Sequence, residues 1–184
     1  MRRLASLVLL AAALAAAGCG SEEEKAAVAE TEGIYLEVDE VKYQVQISRQ
    51  LNQSDLEDRG YFIALPPVEG EIDARNEVWF GVFLRAENDT DEARPTAEEF
   101  EIVDTRGEVY RPLELGDENI QRYEAAMLEP AGLIPNPDSI AAYSATGGAL
   151  LLFKLPRPAL DNRPLEFVVR SPVGDDEAVV ELDV

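Results

Sequence analysis

The chain of 184 residues has no histidine, a single cysteine, one tryptophan and two methionines. Without imidazole, and with Cys19 as the only thiol, the ligand sets that zinc and copper require cannot be assembled. The same counts remove the Ser-His-Asp and Cys-His arrangements of nucleophilic catalysis. Side-chain amines are confined to Lys25, Lys42 and Lys154. Lys25 lies in a charged run, Lys42 among glutamines and Lys154 beside an apolar stretch, so none offers the setting of a Ser-Lys dyad. One cysteine allows no internal disulfide, and the fold must stand on its core. No cofactor is expected.

Positive charge is scarce as well: 16 Lys and Arg face 37 Asp and Glu, for a net charge of −21. Arg2 and Arg3 precede every acid, so the part after Cys19 has 16 less 2 cations against the same 37 acids. Phosphate backbones are repelled by such a surface, which argues against nucleic-acid binding. Anionic headgroups are repelled too, so any membrane attachment must come from lipid.

The longest apolar run, Leu4 to Ala17, is shorter than the ~20 residues of a membrane span and follows Arg2-Arg3, as in the h-region of a signal peptide. It closes on Ala16-Ala17-Gly18-Cys19. This resembles the lipobox of bacterial lipoproteins, although Ala16 stands where leucine is commonest. The resemblance implies a signal peptide over 1–18, cleavage before Cys19, a diacylglyceryl group on that thiol, and residence on the outer face of the cytoplasmic membrane. Two acyl chains suffice for stable retention. The polar, charged segment 19–33 then predicts a flexible acidic tether.

From Ile34 the hydrophobic period becomes two. Ile34, Leu36 and Val38, then Val41, Tyr43, Val45 and Ile47, alternate with polar or exposed types, which predicts strands with one face on a core. Glu77 to Ala86 is apolar on both faces and predicts a central strand, with Trp79, the sole tryptophan, buried beneath a loop or a second sheet. Asp104 and Gly107 mark a hairpin between Phe100–Val103 and Val109-Tyr110. Further strands are expected at Gly148 to Leu155, Leu165 to Arg170 and Glu177 to Asp183. The order predicts an all-β, antiparallel sandwich over 34–184. One short helix is expected inside the long 113–145 insertion, where Ile120, Tyr123 and Met127 share a face, Asn119 caps the start and Pro130 ends it.

Trp79 to Arg85, Asn88-Asp89-Thr90, Pro95, Phe100 to Asp104, Gly107, Tyr110 and Gly148 to Pro156 resemble the Ig-like extracellular domains of unknown function that follow lipoprotein signals in Gram-positive bacteria. The resemblance implies an Ig-like sandwich at the cell surface and brings no catalytic residues with it.

Candidate chemistry is limited to oxygen ligands and aromatics. Asn88 to Glu92 and Asp175 to Glu177 place acids in turns without EF-hand spacing. Glu98, Glu99, Asp104, Glu114, Asp117 and Glu118 are the carboxylates from which a glycosidase pair would have to come. Tyr35, Tyr61, Phe62, Tyr123 and Tyr143 are candidates for a ligand cleft, against the commoner alternative of sheet-covering aromatics. The leading reading is a lipid-anchored display or binding module without a catalytic site, its partner an envelope protein or polymer. The alternative is a carboxylate-dependent hydrolase of cell-envelope glycans.

Overall fold

The computed structural model describes residues 27–184, so the expected signal peptide over 1–18 and Cys19 lie outside the described residues. Its strands are β1 (Ala27–Ala29), β2 (Tyr35–Val38), β3 (Val41–Leu51), β4 (Glu77–Glu87), β5 (Arg94–Pro95), β6 (Phe100–Val103), β7 (Val109–Tyr110), β8 (Met127–Leu128), β9 (Leu133–Ile134), β10 (Ala149–Pro156), β11 (Leu165–Arg170) and β12 (Glu177–Leu182). Short 3-10 turns occupy Arg59–Phe62 and Arg157–Asp161.

Two sheets face each other. One runs β1-β12-β11-β6-β7, the other β10-β4-β3-β2, and β9 joins the end of β4 while β5 and β8 form a separate ribbon. All pairs are antiparallel except β1 with β12. The connectivity is that of an Ig-like sandwich. β3, β4 and β10 fall in the A, B and E places of one sheet, and β12, β11, β6 and β7 in the G, F, C and C′ places of the other. The outer edge of β10, where strand D would lie, is covered instead by an irregular run: Leu113 N–H donates to Leu152 O, Tyr123 N–H to Leu150 O, and Leu150 N–H to Gln121 O.

Between the sheets lies a core of Phe80, Val82, Leu84, Ile102, Phe153, Leu165 and Phe167, all fully buried. Each such side chain contributes about 1.5–3 kcal/mol by leaving water. Phe167 stacks on Phe100 at 5.8 Å and meets Phe153 edge-on at 6.4 Å. A second, smaller core sits on the outer face of the β10-β4-β3 sheet, where Leu51, Trp79, Phe83, Leu150 and Leu152 are roofed by Tyr61, Phe62, Leu65 and Ile72 of the 52–76 connection and by Leu113 and Leu115. The two-sided apolarity of β4 is thereby explained: Val78, Phe80, Val82 and Leu84 enter the main core, Trp79 and Phe83 the outer one. Gly81 lies between those two aromatics, where a Cβ would meet Leu51 Cδ1 at 2.8 Å.

Three expectations need correction. The helix after Asn119 does not form: Arg122 N–H closes a single turn onto Asn119 O, but Gln121 O and Tyr123 N–H on either side are taken by the backbone of Leu150. Asn119 is buried, and its Nδ2 donates to Tyr61 O and Ile63 O, tying the insertion to the roof of the outer core. The tether does not run to Gly33: β1 adds to β12 in parallel, Ala29 is buried, and Gly33 N–H donates to Val45 O at 2.9 Å. Finally, a bulge between Val45 and Ile47 shifts the alternation of β3. Ile47 is therefore turned out to 37% exposure while Ser48 is turned in, where its N–H and hydroxyl both donate to the carboxylate of Glu32.

Candidate functional site

A cleft of about 440 Å³ with an apolar floor lies on the flank of the sandwich. The floor is formed by Phe100 from β6, Leu150 and Leu151 from β10, and Leu113, Leu115 and Tyr123 from the irregular run. The rim is charged: Glu98, Glu99, Glu114 and Glu124 are exposed around it, and Arg111 and Arg122 stand among them. Glu101 is the buried carboxylate of the lining. Both of its oxygens are taken, Oε1 by Arg111 Nη2 at 2.5 Å and Oε2 by Arg170 Nη2 at 3.0 Å. Arg122 is held in turn by Asp117 at 3.2 Å and Glu124 at 3.0 Å.

Tertiary hydrogen bonds hold the wall of this cleft. Ala97 N–H donates to the Tyr43 hydroxyl at 2.6 Å, and the Tyr123 hydroxyl donates to Ala97 O at 3.0 Å. Thr96 Oγ1 accepts from Ala126 N–H at 2.9 Å, and Phe100 meets the Tyr123 ring edge-on at 4.9 Å. Burial pushes the Tyr43 hydroxyl up to about 12 and the Tyr123 hydroxyl far above the ordinary phenol range. Both phenols stay protonated at neutral pH, and their hydrogen bonds to Ala97 make them struts.

Of the carboxylates singled out in the sequence, Glu98, Glu99 and Glu114 come together on the rim and Asp117 reaches it through Arg122. Asp104 does not. It is buried in the β6–β7 hairpin, where it accepts from Arg106 N–H, Glu108 N–H, Asn162 Nδ2 and the Tyr110 hydroxyl. Burial acts against its charge, but these donors together outweigh it and hold the carboxyl below the usual aspartate value. Glu118 is exposed and does not line the cleft.

The aromatics are also dispersed. Tyr123 lines the cleft, Tyr61 and Phe62 roof the outer core, Tyr35 is on the edge strand β2, and Tyr143 is 80% exposed. The acidic turns are engaged in holding loops. Asn88 is buried, donating to Glu92 O, Leu128 O and Glu129 O and accepting from Thr90, while Asp89 pairs with Lys42. Asp176 accepts from Asp39 N–H at 3.3 Å, and Glu177 pairs with Arg170 at 2.7 Å. Among the described residues no group of three or more acids is placed to hold a metal ion.

Sequence reasoning missed Glu101 and Arg111. Nothing in their local pattern marks them, because Arg111 meets Glu101 only through the pairing of β6 with β7, and the other partner of Glu101, Arg170, lies 69 residues away in the chain.

No known family profile matches the sequence, and no curated protein matches it. Among solved structures, the yjhA protein of Bacillus subtilis superposes with a TM-score of 0.57 at 12% identity, over 84% of this chain and 99% of that one. An uncharacterised β-sandwich protein from Clostridium difficile 630 aligns with a TM-score of 0.47 at 11% identity, over 88% and 97% of the two chains. The likeness to the Bacillus subtilis protein is one of fold, and the chain is an antiparallel β-sandwich of that kind.

Proposed function

We propose that this chain is a lipid-anchored binding module, carried on the outer face of the cytoplasmic membrane by diacylglyceryl on Cys19, and that the flank cleft receives its ligand. The observation that carries the binding role is the state of Glu101. A glycosidase needs one carboxyl shielded from water and free to give up a proton. Here the shielded carboxyl of the cleft is held by two guanidinium groups, and the remaining acids are exposed on the rim. That arrangement suits recognition over an apolar floor, with charges placed to orient what binds.

The anchoring half is supported by the leader and its small-residue junction. Labelling of cells with radioactive palmitate tests it: Cys19→Ser should lose the label and move the protein from the membrane fraction to the medium. Retention of both label and location in that variant would overturn the anchoring. The cleft is tested with the exposed rim. Glu98→Lys combined with Glu114→Lys should abolish retention of envelope material on the immobilised protein while leaving its melting temperature in place. Turnover of envelope glycan by wild type, lost in the same variant, would favour the hydrolase instead.

A further inference from the structure

The parallel docking of β1 fixes which end of the sandwich leads back to the anchor. β1 enters beside the start of β12, with Ala27 opposite Ala178. At that same end lie the last residue of β11, Arg170, the first of β6, Phe100, and the β2–β3 turn, whose Asp39 bonds to Ser171 and Asp176. The loops 88–92 and 171–176 cap this pole. The turns 104–108 and 157–163 and the start of the 52–76 connection cap the other, since Val103, Leu165, Leu51 and Glu77 end their strands there.

Only Gly20 to Ala26 separate Cys19 from β1. Eight peptide steps reach at most about 29 Å. We infer that the pole formed by loops 88–92 and 171–176 with the Asp39-Glu40 turn is the bilayer-facing surface, and that the loops 52–58, 104–108 and 157–163 form the surface shown to the exterior. The inference rests on the anchoring reading. The bilayer-facing pole bears Asp39, Glu40, Asp89, Asp175 and Asp176, so an anionic leaflet repels it within a Debye length of about 8 Å. It faces the membrane without lying flush on it. Partners arriving from the envelope meet the opposite pole first.

Energy transfer decides this. The full-length lipidated chain carries a donor dye at Asp175→Cys or at Thr105→Cys, both exposed positions, and is reconstituted into phosphatidylglycerol/phosphatidylethanolamine vesicles with a headgroup acceptor. Strand β11 alone separates the poles by about 20 Å, so transfer from position 175 should exceed that from 105 on the order of twofold. Equal or reversed efficiencies in protein that floats with the vesicles would overturn the orientation and leave anchoring intact. Failure to float, with Cys19 itself taking up dye, would overturn anchoring and the orientation with it. Unchanged melting of both labelled variants establishes that neither position disturbs the fold.

Discussion

Trp79 is 3% exposed, packed at 5.7 Å against Phe62 under the roof of the outer core. Truncation to alanine should cost about 3–5 kcal/mol, a large part of the stability of a domain this size. Its indole Nε1 has no hydrogen-bond partner, so Trp79→Phe, which removes that unmatched donor, should cost much less. Emission of the native protein should be blue-shifted and resist iodide; red, readily quenched emission would contradict the burial. Asp58 makes a different residue-scale case. Burial opposes its charge, but Arg49, at 2.5 Å, and Asn52 N–H, at 2.8 Å, together hold the carboxyl below the ordinary aspartate value. Because the folded value is depressed, the stabilisation is present above the unfolded value of about 3.9 and disappears as pH falls through the folded one. Asp58→Asn should cost about 1–3 kcal/mol at pH 7 and flatten the acid limb of the stability curve, which urea titrations between pH 7 and pH 2 would reveal.

At the level of elements, β1 and the residues after it are the part most open to test. Glu32 accepts from Ser48 N–H at 3.0 Å and Asp183 N–H at 3.1 Å, joining the two sheets at one corner. A chain begun at Ile34 loses this corner and uncovers the edge of β12, so it should melt several degrees below one begun at Ala27, at about 2–4 °C per kcal/mol lost. Equal melting points would show that β1 adds nothing. The strands were readable because each buries a face and so must alternate; β4 was readable in both its faces for the same reason. The bulge in β3 was not, since it follows from the pairing of β3 with β4 and leaves no local mark in Gln44 to Ser48. The absent helix has a similar cause. Ile120, Tyr123 and Met127 are spaced for one, but Leu150 and Tyr61 offer hydrogen bonds to 119–123 that the local sequence does not reveal. The cleft was half visible. Its exposed glutamates stand out in a count of acids, whereas the ion-paired Glu101 depends on a contact between strands.

For the whole molecule, the described residues hold no cysteine and no group of acids placed to bind a metal. Reductant and a calcium chelator should therefore leave the melting temperature of the 27–184 domain where it was. A chelator-induced drop of several degrees would give the 88–92 or 175–177 turns a role as ligands. The two cores also share one wall. β4 sends alternate side chains into each, so neither core can open without dissolving the strand on which the other is built. Unfolding should accordingly be a single all-or-none event: the fluorescence of Trp79, which reports the outer core, and far-ultraviolet circular dichroism, which reports both sheets, should trace one superimposable curve in denaturant.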